Sequence, residues 1–164
     1  MGTGKSSTGR ILSGMLQYRL VDTDECIERK AGRKITEIFE EQGEEAFRKL
    51  ECGVVADLAG AQRTVISTGG GLIVNPENLA SLRKHSLIIC LWASPEAIWE
   101  RVRNQSHRPL LHDPDPLGKI RSLLQERTPA YREADILVST EKRPLRDVAQ
   151  HIITHFRTAT RLPK

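Results

Sequence analysis

Residues 1–7 read MGTGKSS, which is the second half of the phosphate-binding motif GxxxxGK[ST]. Gly4, Lys5 and Ser6 fill the last three motif positions, and the first motif glycine would lie two residues before Met1. In such a loop the backbone N–H groups hold phosphates, the lysine neutralises them and the hydroxyl ligates Mg²⁺. The sequence therefore predicts a phosphoryl-transfer site. We expect a chain truncated inside this loop, with the strand that normally precedes it absent.

Composition narrows the class of protein. The 164 residues suit one domain, residues 1–164. Basic residues (25) nearly match acidic ones (21), without a long run of one charge, so we expect no nucleic-acid partner. Three cysteines without a CxxC pair are typical of a reducing compartment, which predicts a cytoplasmic protein. The longest apolar stretch, 87–93, is too short for a membrane helix.

Hydrophobic periodicity predicts alternating helices and strands. Helices are expected at 6–18, 25–58, 76–84, 95–103, 117–132 and 144–157, and strands at 19–21, 64–67, 86–92 and 135–139. Ser6 or Ser7 is expected to cap the first helix, and Gly32 and Gly43 to end helices. Residues 104–116 contain three prolines and little periodicity, which predicts a loop long enough to act as a lid. The alternation favours an α/β fold with a parallel sheet covered on both faces.

Two aspartates follow the first predicted strand. Asp22 and Asp24 would lie at the carboxyl edge of the sheet, where α/β proteins bind ligands, and their i, i+2 spacing in a strand predicts one shared face. One could hold Mg²⁺ through water, and the other could accept a hydroxyl proton from an acceptor substrate. The alternative is that Asp24 caps a helix beginning at Glu25 and Asp22 is a solvated end residue.

Glycines and arginines supply further candidates. TGGG at 68–71 follows the second strand, so its N–H groups could bind an anionic or hydroxylated ligand, or it could be a flexible turn. Arg108 lies in the Pro-rich segment, where a cation could close over transferring phosphate. Spacing alone does not distinguish Arg48 or Arg127 from solvated helix arginines.

Six motifs in order, MGTGKSSTGR, DTD, GEEAFR, TGGG, RPLL and ERTPAYRE, resemble the shikimate kinase family of the nucleoside-monophosphate-kinase-like P-loop group. The resemblance covers essentially the whole chain. It implies transfer of the ATP γ-phosphate to the 3-hydroxyl of shikimate with Mg²⁺, on the route to chorismate and the aromatic amino acids. It also implies a parallel sheet in the order 2-3-1-4-5, whose first strand this chain lacks. A helical substrate-binding segment at about 25–58 and a lid at about 104–116 complete the implied fold.

The resemblance also implies roles for individual residues. Shikimate is expected at Asp24, Arg48, Gly70, Gly71 and Arg127. ATP is expected at Gly2, Thr3, Gly4, Lys5, Ser6, Ser7, Arg101, Arg108 and Arg143, and Mg²⁺ at Ser6 and Asp22. The catalytic residues are expected to be Asp24, Lys5 and Arg108.

Two other functions remain open at this point. One is a related small-metabolite kinase, such as a gluconate kinase, which the two arginines of GEEAFR and ERTPAYRE disfavour because they suit a carboxylated ring. The other is a non-catalytic nucleotide-binding module, favoured only by the missing first strand. We expect a monomer whose partner is a small-molecule substrate.

Overall fold

The computed structural model describes residues 2–104 and 113–161. The helices are α1 (Lys5–Leu16), α2 (Thr23–Ala31), α3 (Ile35–Asp57), α4 (Pro76–Arg83), α5 (Pro95–Val102), α6 (Pro116–Arg132) and α7 (Leu145–Arg161). The strands are β1 (Arg19–Asp22), β2 (Thr64–Ser67), β3 (Ile89–Trp92) and β4 (Ile136–Ser139). A 3₁₀ turn at Leu72–Val74 precedes α4. Within these two ranges, no helix is long and apolar enough to cross a membrane.

The chain divides into two compact units. The first contains Met1–Thr8 and Ile89–Lys164, and the second contains Gly9–Ile88. In the second unit, β1 and β2 pair in parallel, from Arg19 opposite Thr64 to Asp22 opposite Ser67. Because parallel strands end at the same edge, the segments that follow Asp22 and Ser67 start side by side. Apolar side chains of α2 and α3 form a core cluster of Ile27, Ile38, Phe47 and Val54.

The other unit has the same plan. Strands β3 and β4 pair in parallel, from Ile89 opposite Ile136 to Trp92 opposite Ser139. Its core cluster consists of Ala93, Ile98, Val102 and Ile120, which come from the end of β3, α5 and α6. The pairs β1–β2 and β3–β4 correspond to the neighbours 2-3 and 4-5 in the expected strand order.

Helix boundaries correct some details of the sequence prediction. Helix α1 begins at Lys5, so Ser6 and Ser7 lie in its first turn and do not cap it. Gly32 ends α2 in the left-handed conformation, with φ 64°, as predicted. Gly43 also interrupts the helix as predicted, because its φ of 78° and ψ of 178° are not helical, so two helical segments meet at a kink within α3.

Two further predictions concern strand length and the lid. Strand β3 begins at Ile89, so residues 86–88 precede the strand instead of forming its first part. Most of the expected lid, 104–116, falls on residues 105–112, and Arg108 with it lies outside the described residues. The alternation of helices with parallel strands is confirmed.

Candidate active site

The phosphate-binding loop ends at the N-terminus of α1. Gly2 and Gly4 have φ values of +69° and +84°, a conformation that side chains disfavour. A Cβ on Gly2 would lie 2.9 Å from Cγ2 of Ile98, and one on Gly4 would lie 3.2 Å from Cδ2 of Leu145. The positive φ therefore favours glycine at both positions, and the close approach of Ile98 is a second reason at Gly2. The loop delivers Lys5 as the first residue of a 12-residue helix, whose N-terminal amides favour an anion.

Arg101 connects this loop to the segment after β4. Its Nη1 donates to the Gly2 carbonyl oxygen at 3.3 Å and to Thr140 Oγ1 at 2.9 Å, while Nη2 donates to the Thr140 carbonyl oxygen at 2.7 Å. Thr140 is 2% exposed, and its backbone N–H donates to the Trp92 carbonyl oxygen at 2.9 Å. The guanidinium of Arg101 therefore bridges the phosphate-binding loop and the end of the β3–β4 pair.

Polar groups around the loop suit a phosphate. The hydroxyls of Thr3 and Thr8 are buried and hydrogen-bond to no atom within residues 2–104 and 113–161, and a phosphate oxygen can satisfy such a donor.

The Lys5 ammonium also influences the pKa of the Cys90 thiol in β3. Burial raises the pKa of that thiol, and the positive charge of Lys5 opposes the rise.

In the other unit, Asp22 and Asp24 lie at the junction of β1 and α2. Asp22 is the last residue of the strand and caps the helix, because its Oδ1 accepts from the Asp24 N–H at 3.1 Å. Asp24 lies in the first helical turn. The prediction that both carboxylates follow strand geometry was therefore wrong, since the helix begins at Thr23. The alternative was also wrong in its details, because the cap is Asp22 and the helix does not start at Glu25.

Thr23 holds the TGGG segment against this junction. It is 1% exposed, and its Oγ1 accepts from the Gly69 N–H at 3.1 Å. A Cβ on Gly69 would lie 2.7 Å from Oδ1 of Asp24 and 3.5 Å from Oε1 of Glu51. Glycine at 69 thus permits the Asp24 carboxylate to lie close against the backbone after β2, whereas Glu51 lies at ordinary contact distance.

Arg48 completes this group. Its Nη1 donates to Oε2 of the buried Glu51 at 2.6 Å, and its Nε and Nη2 donate to Oε1 of Glu44 at 3.2 and 2.7 Å. A Cβ on Gly71 would lie 2.6 Å from Nη1, so the guanidinium packs directly on the backbone of that glycine. Burial opposes the charge of Arg48, but the hydrogen bonds to Glu51 and Glu44 outweigh it and raise the pKa of Arg48.

The structure thus gathers the predicted residues into two groups, one in each unit. Gly2, Gly4, Lys5 and Arg101 belong to the first group, and Asp22, Asp24, Arg48 and Gly71 belong to the second. Ser6 and Ser7 are exposed in the first turn of α1. Gly70 is partly buried, and Arg143 is exposed just before α7.

Arg127 lies on α6 beside Tyr131. Burial raises the pKa of the Tyr131 hydroxyl, and the neighbouring charge of Arg127 opposes the rise. Arg127 itself is partly buried.

Four residues of these groups were not predicted from the sequence: Thr23, Glu44, Glu51 and Thr140. A signal existed for two of them. In GEEAFRKLE the glutamates lie four residues before and three residues after Arg48, the spacing of ion pairs on one helix face. The contacts of Thr23 and Thr140 join segments 46 and 39 residues apart, and no local pattern encodes them.

Residues 1–157 match the family model described as Shikimate kinase. The chain belongs to the shikimate kinase family. Shikimate kinase from Caldanaerobacter subterraneus is 42% identical over 156 residues, which cover 95% of this chain and 91% of that protein. A solved structure of shikimate kinase from Acinetobacter baumannii in complex with shikimate superposes with a TM-score of 0.91 at 36% identity, covering 99% of this chain and 91% of the other. Shikimate kinase from Aquifex aeolicus gives a TM-score of 0.84 at 37% identity, covering 98% and 94%.

Family membership confirms two predictions made from the motifs. The chain is a kinase, an enzyme of the family that phosphorylates shikimate, and its α/β fold is that of P-loop kinases.

Proposed function

We propose that this chain transfers the γ-phosphate of ATP to the 3-hydroxyl of shikimate, a step toward chorismate and the aromatic amino acids, through the two groups of residues described above. The observation that carries the proposal is the position of Arg48, paired with the buried Glu51 and packed on Gly71. A partly buried guanidinium beside backbone amides suits a ring carboxylate. The relative from Acinetobacter baumannii, solved with shikimate, supports the same acceptor.

On the acceptor side, we assign shikimate to Asp24, Arg48, Gly70, Gly71 and Arg127. Arg48 and Arg127 bind the carboxylate, and the glycine N–H groups add hydrogen bonds. Asp24 orients the ring hydroxyls and accepts the proton of the attacking hydroxyl. Its place in the first turn of α2, close against Gly69, gives this carboxylate a defined position.

On the nucleotide side, we assign the ATP phosphates to the loop and the first turn of α1. The residues are Gly2, Thr3, Gly4, Lys5, Ser6 and Ser7, with Arg101, Arg143 and Arg108 contributing around the nucleotide. The unsatisfied hydroxyl of Thr3 and the φ values of Gly2 and Gly4 fit a loop that wraps an anion. Ser6 and Asp22 supply hydroxyl and carboxylate oxygens, the donors that Mg²⁺ prefers.

These residues are expected to contribute to the reaction by positioning the two substrates and by neutralising charge on the phosphates. Phosphoryl transfer needs little covalent participation by the protein, and Mg²⁺ bound with ATP neutralises charge on the phosphates. Lys5 adds a positive charge at the phosphates, Asp24 receives one proton, and Arg48 fixes the ring. We propose residues 25–58 as the substrate-binding segment and about 104–116 as the lid, with Arg108 as its cation for the phosphates; residues 105–112 lie outside the described part of the chain.

We further propose a single domain that works as a monomer in the cytoplasm. Cys26, Cys52 and Cys90 are all free thiols, which suits a reducing compartment.

The test is ADP release by the chain with Mg·ATP and shikimate, with gluconate, and without an acceptor. The proposal expects release with shikimate alone, and equal release in all three reactions would overturn it. Asp24→Asn is expected to lower transfer by about a hundredfold or more while ATP binding stays nearly unchanged. Glu25→Gln, an exposed residue in the same helical turn, is the matched control and should retain activity.

A further inference from the structure

Arg48 presents two different edges to two different glutamates. The Nη1 atom is paired with Glu51, which is 1% exposed, whereas Nε and Nη2 are paired with Glu44, which is 67% exposed. We propose that Glu44 occupies the edge of Arg48 that receives the acceptor's carboxylate, and so sets the affinity for the acceptor by competing with it. This inference rests on the proposed function, because it takes shikimate as the ligand of Arg48.

The hydrogen bonds to Glu44 are those that a better ligand can replace. A single oxygen, Oε1, accepts from both Nε at 3.2 Å and Nη2 at 2.7 Å. A ligand carboxylate can place one oxygen on each of these two donors, which is the stronger, bidentate arrangement for arginine. The contact with Glu44 therefore resembles the ligand's contact but satisfies the guanidinium less well.

Exposure decides which glutamate is exchanged. Glu44, once released, is hydrated by water, so it loses little. Glu51, if released, would leave a carboxylate buried without its cation, which is costly. Arg48 therefore keeps Glu51 as a fixed partner and exchanges Glu44.

Charge favours exchange over simple addition. One guanidinium already faces two carboxylates, those of Glu44 and Glu51. A third carboxylate, brought by the ligand, would add repulsion between like charges at short range. Arg127, which we assign to the same ligand carboxylate, adds one positive charge, but Glu44 and the ligand would still compete for the same edge of Arg48. Release of Glu44 removes this repulsion, so binding of the acceptor is expected to break the Glu44–Arg48 contact.

The chain offers a matched control on the same helix. Glu45 is 85% exposed and pairs with Lys49 at 2.8 Å with the same i, i+4 spacing. Both glutamates follow Gly43 in the first turn after the kink, so replacing either one removes a similar interaction with the helix dipole. Of these two glutamates, Glu44 pairs with Arg48 and Glu45 pairs with Lys49.

The experiment measures the Kd for shikimate by calorimetry, and the KM and kcat, for the wild-type chain, Glu44→Gln and Glu45→Gln. In Glu44→Gln the charged group that competes with the shikimate carboxylate for Arg48 is removed. Because an exposed ion pair contributes little, the Kd for shikimate should fall by about two- to fivefold, with kcat unchanged. Glu45→Gln should match the wild type. The methyl ester of shikimate, which has no carboxylate, should bind Glu44→Gln and the wild type equally.

Each outcome has one meaning. An unchanged or raised Kd for shikimate in Glu44→Gln overturns the inference, because Glu44 would then be neutral or would hold Arg48 in place. Equal tightening of the methyl ester overturns it too, since the gain would not depend on the carboxylate. A wild-type chain that does not bind shikimate overturns the proposed function and this inference with it, whereas binding without tightening in the variant overturns the inference alone.

Discussion

The Nη1 atom of Arg48 lies 2.6 Å from Oε2 of Glu51, and the two side chains are 32% and 1% exposed. They are three residues apart on α3, so the helix itself sets the pairing. A carboxylate buried this deeply requires a charged partner. The need to neutralise Glu51 therefore holds the Arg48 guanidinium against Gly71, and a stability requirement shapes the site.

Replacing Arg48 with Met is expected to destabilise the fold as well as to weaken acceptor binding. The variant leaves the Glu51 carboxylate buried without its cation, which should lower the free energy of unfolding by about 3 kcal/mol. Urea unfolding of the ligand-free chain measures this loss. Arg103→Met is the control, because its partner Glu100 is 62% exposed, and the expected change there is below about 1 kcal/mol. Equal losses in the two variants would contradict the structural role of the Arg48–Glu51 pair.

Gly71→Ala tests the close approach of the guanidinium to the backbone. Gly71 has φ −96°, which alanine adopts without strain, so the new methyl group acts only through its position 2.6 Å from Nη1 of Arg48. Displacement of Arg48 should lower kcat/KM for shikimate by about 10- to 100-fold. The matched control is Gly53→Ala in α3, where a Cβ would meet nothing within 4 Å. Unchanged kinetics in Gly71→Ala would show that Arg48 does not need this position.

Local patterns were sufficient to predict the elements that carry the site. The sequence Gly-Lys-Ser at 4–6 predicted a helix N-terminus, and α1 begins at Lys5. The β-branched run at 64–67, followed by glycines, predicted a strand that ends before them, and β2 is that strand. The error at Asp22 and Asp24 has a local cause. Asp22 with Glu25 three residues later is the pattern of a helix N-terminus, which outweighs continuation of the strand.

The significance of Arg48 could not be predicted from spacing, because it depends on a contact across the chain. Glu44 and Glu51 share its helix face, but only the packing of α3 against the segment after β2 brings Arg48 onto Gly71. The contact between Thr23 and Gly69 spans 46 residues in the same way. Such contacts arise from the tertiary fold, and a single sequence does not specify them.

The Cys90 thiol should make the stability of the fold depend on pH in the alkaline range. Burial raises the pKa of this thiol in the folded chain, so above the ordinary thiol pKa of about 8.5 the unfolded chain binds fewer protons than the folded chain. The stability it contributes is therefore complete below that pH and is lost as pH rises. Melting temperatures at about pH 7.5 and 9.5, below the ordinary titration of tyrosine near 10, should fall more for the wild type than for Cys90→Ala. Identical falls in melting temperature for the two chains would contradict the raised pKa of the Cys90 thiol.

Arg101→Lys separates charge from geometry at the phosphate-binding loop. The planar guanidinium of Arg101 donates hydrogen bonds to the carbonyl oxygen and Oγ1 of Thr140 and to the Gly2 carbonyl oxygen. Lysine keeps the positive charge but cannot make these three bonds in the same geometry. If this geometry positions the loop, the KM for ATP should rise by about three- to tenfold, equivalent to the loss of about one hydrogen bond, while the KM for shikimate stays the same. Steady-state kinetics with each substrate varied in turn provide the measurement. Arg103→Lys, two residues away and paired only with the exposed Glu100 among the described contacts, is the control. A wild-type KM for ATP in Arg101→Lys would mean that its charge alone is enough, and an equal rise in both KM values would indicate a general loss of structure.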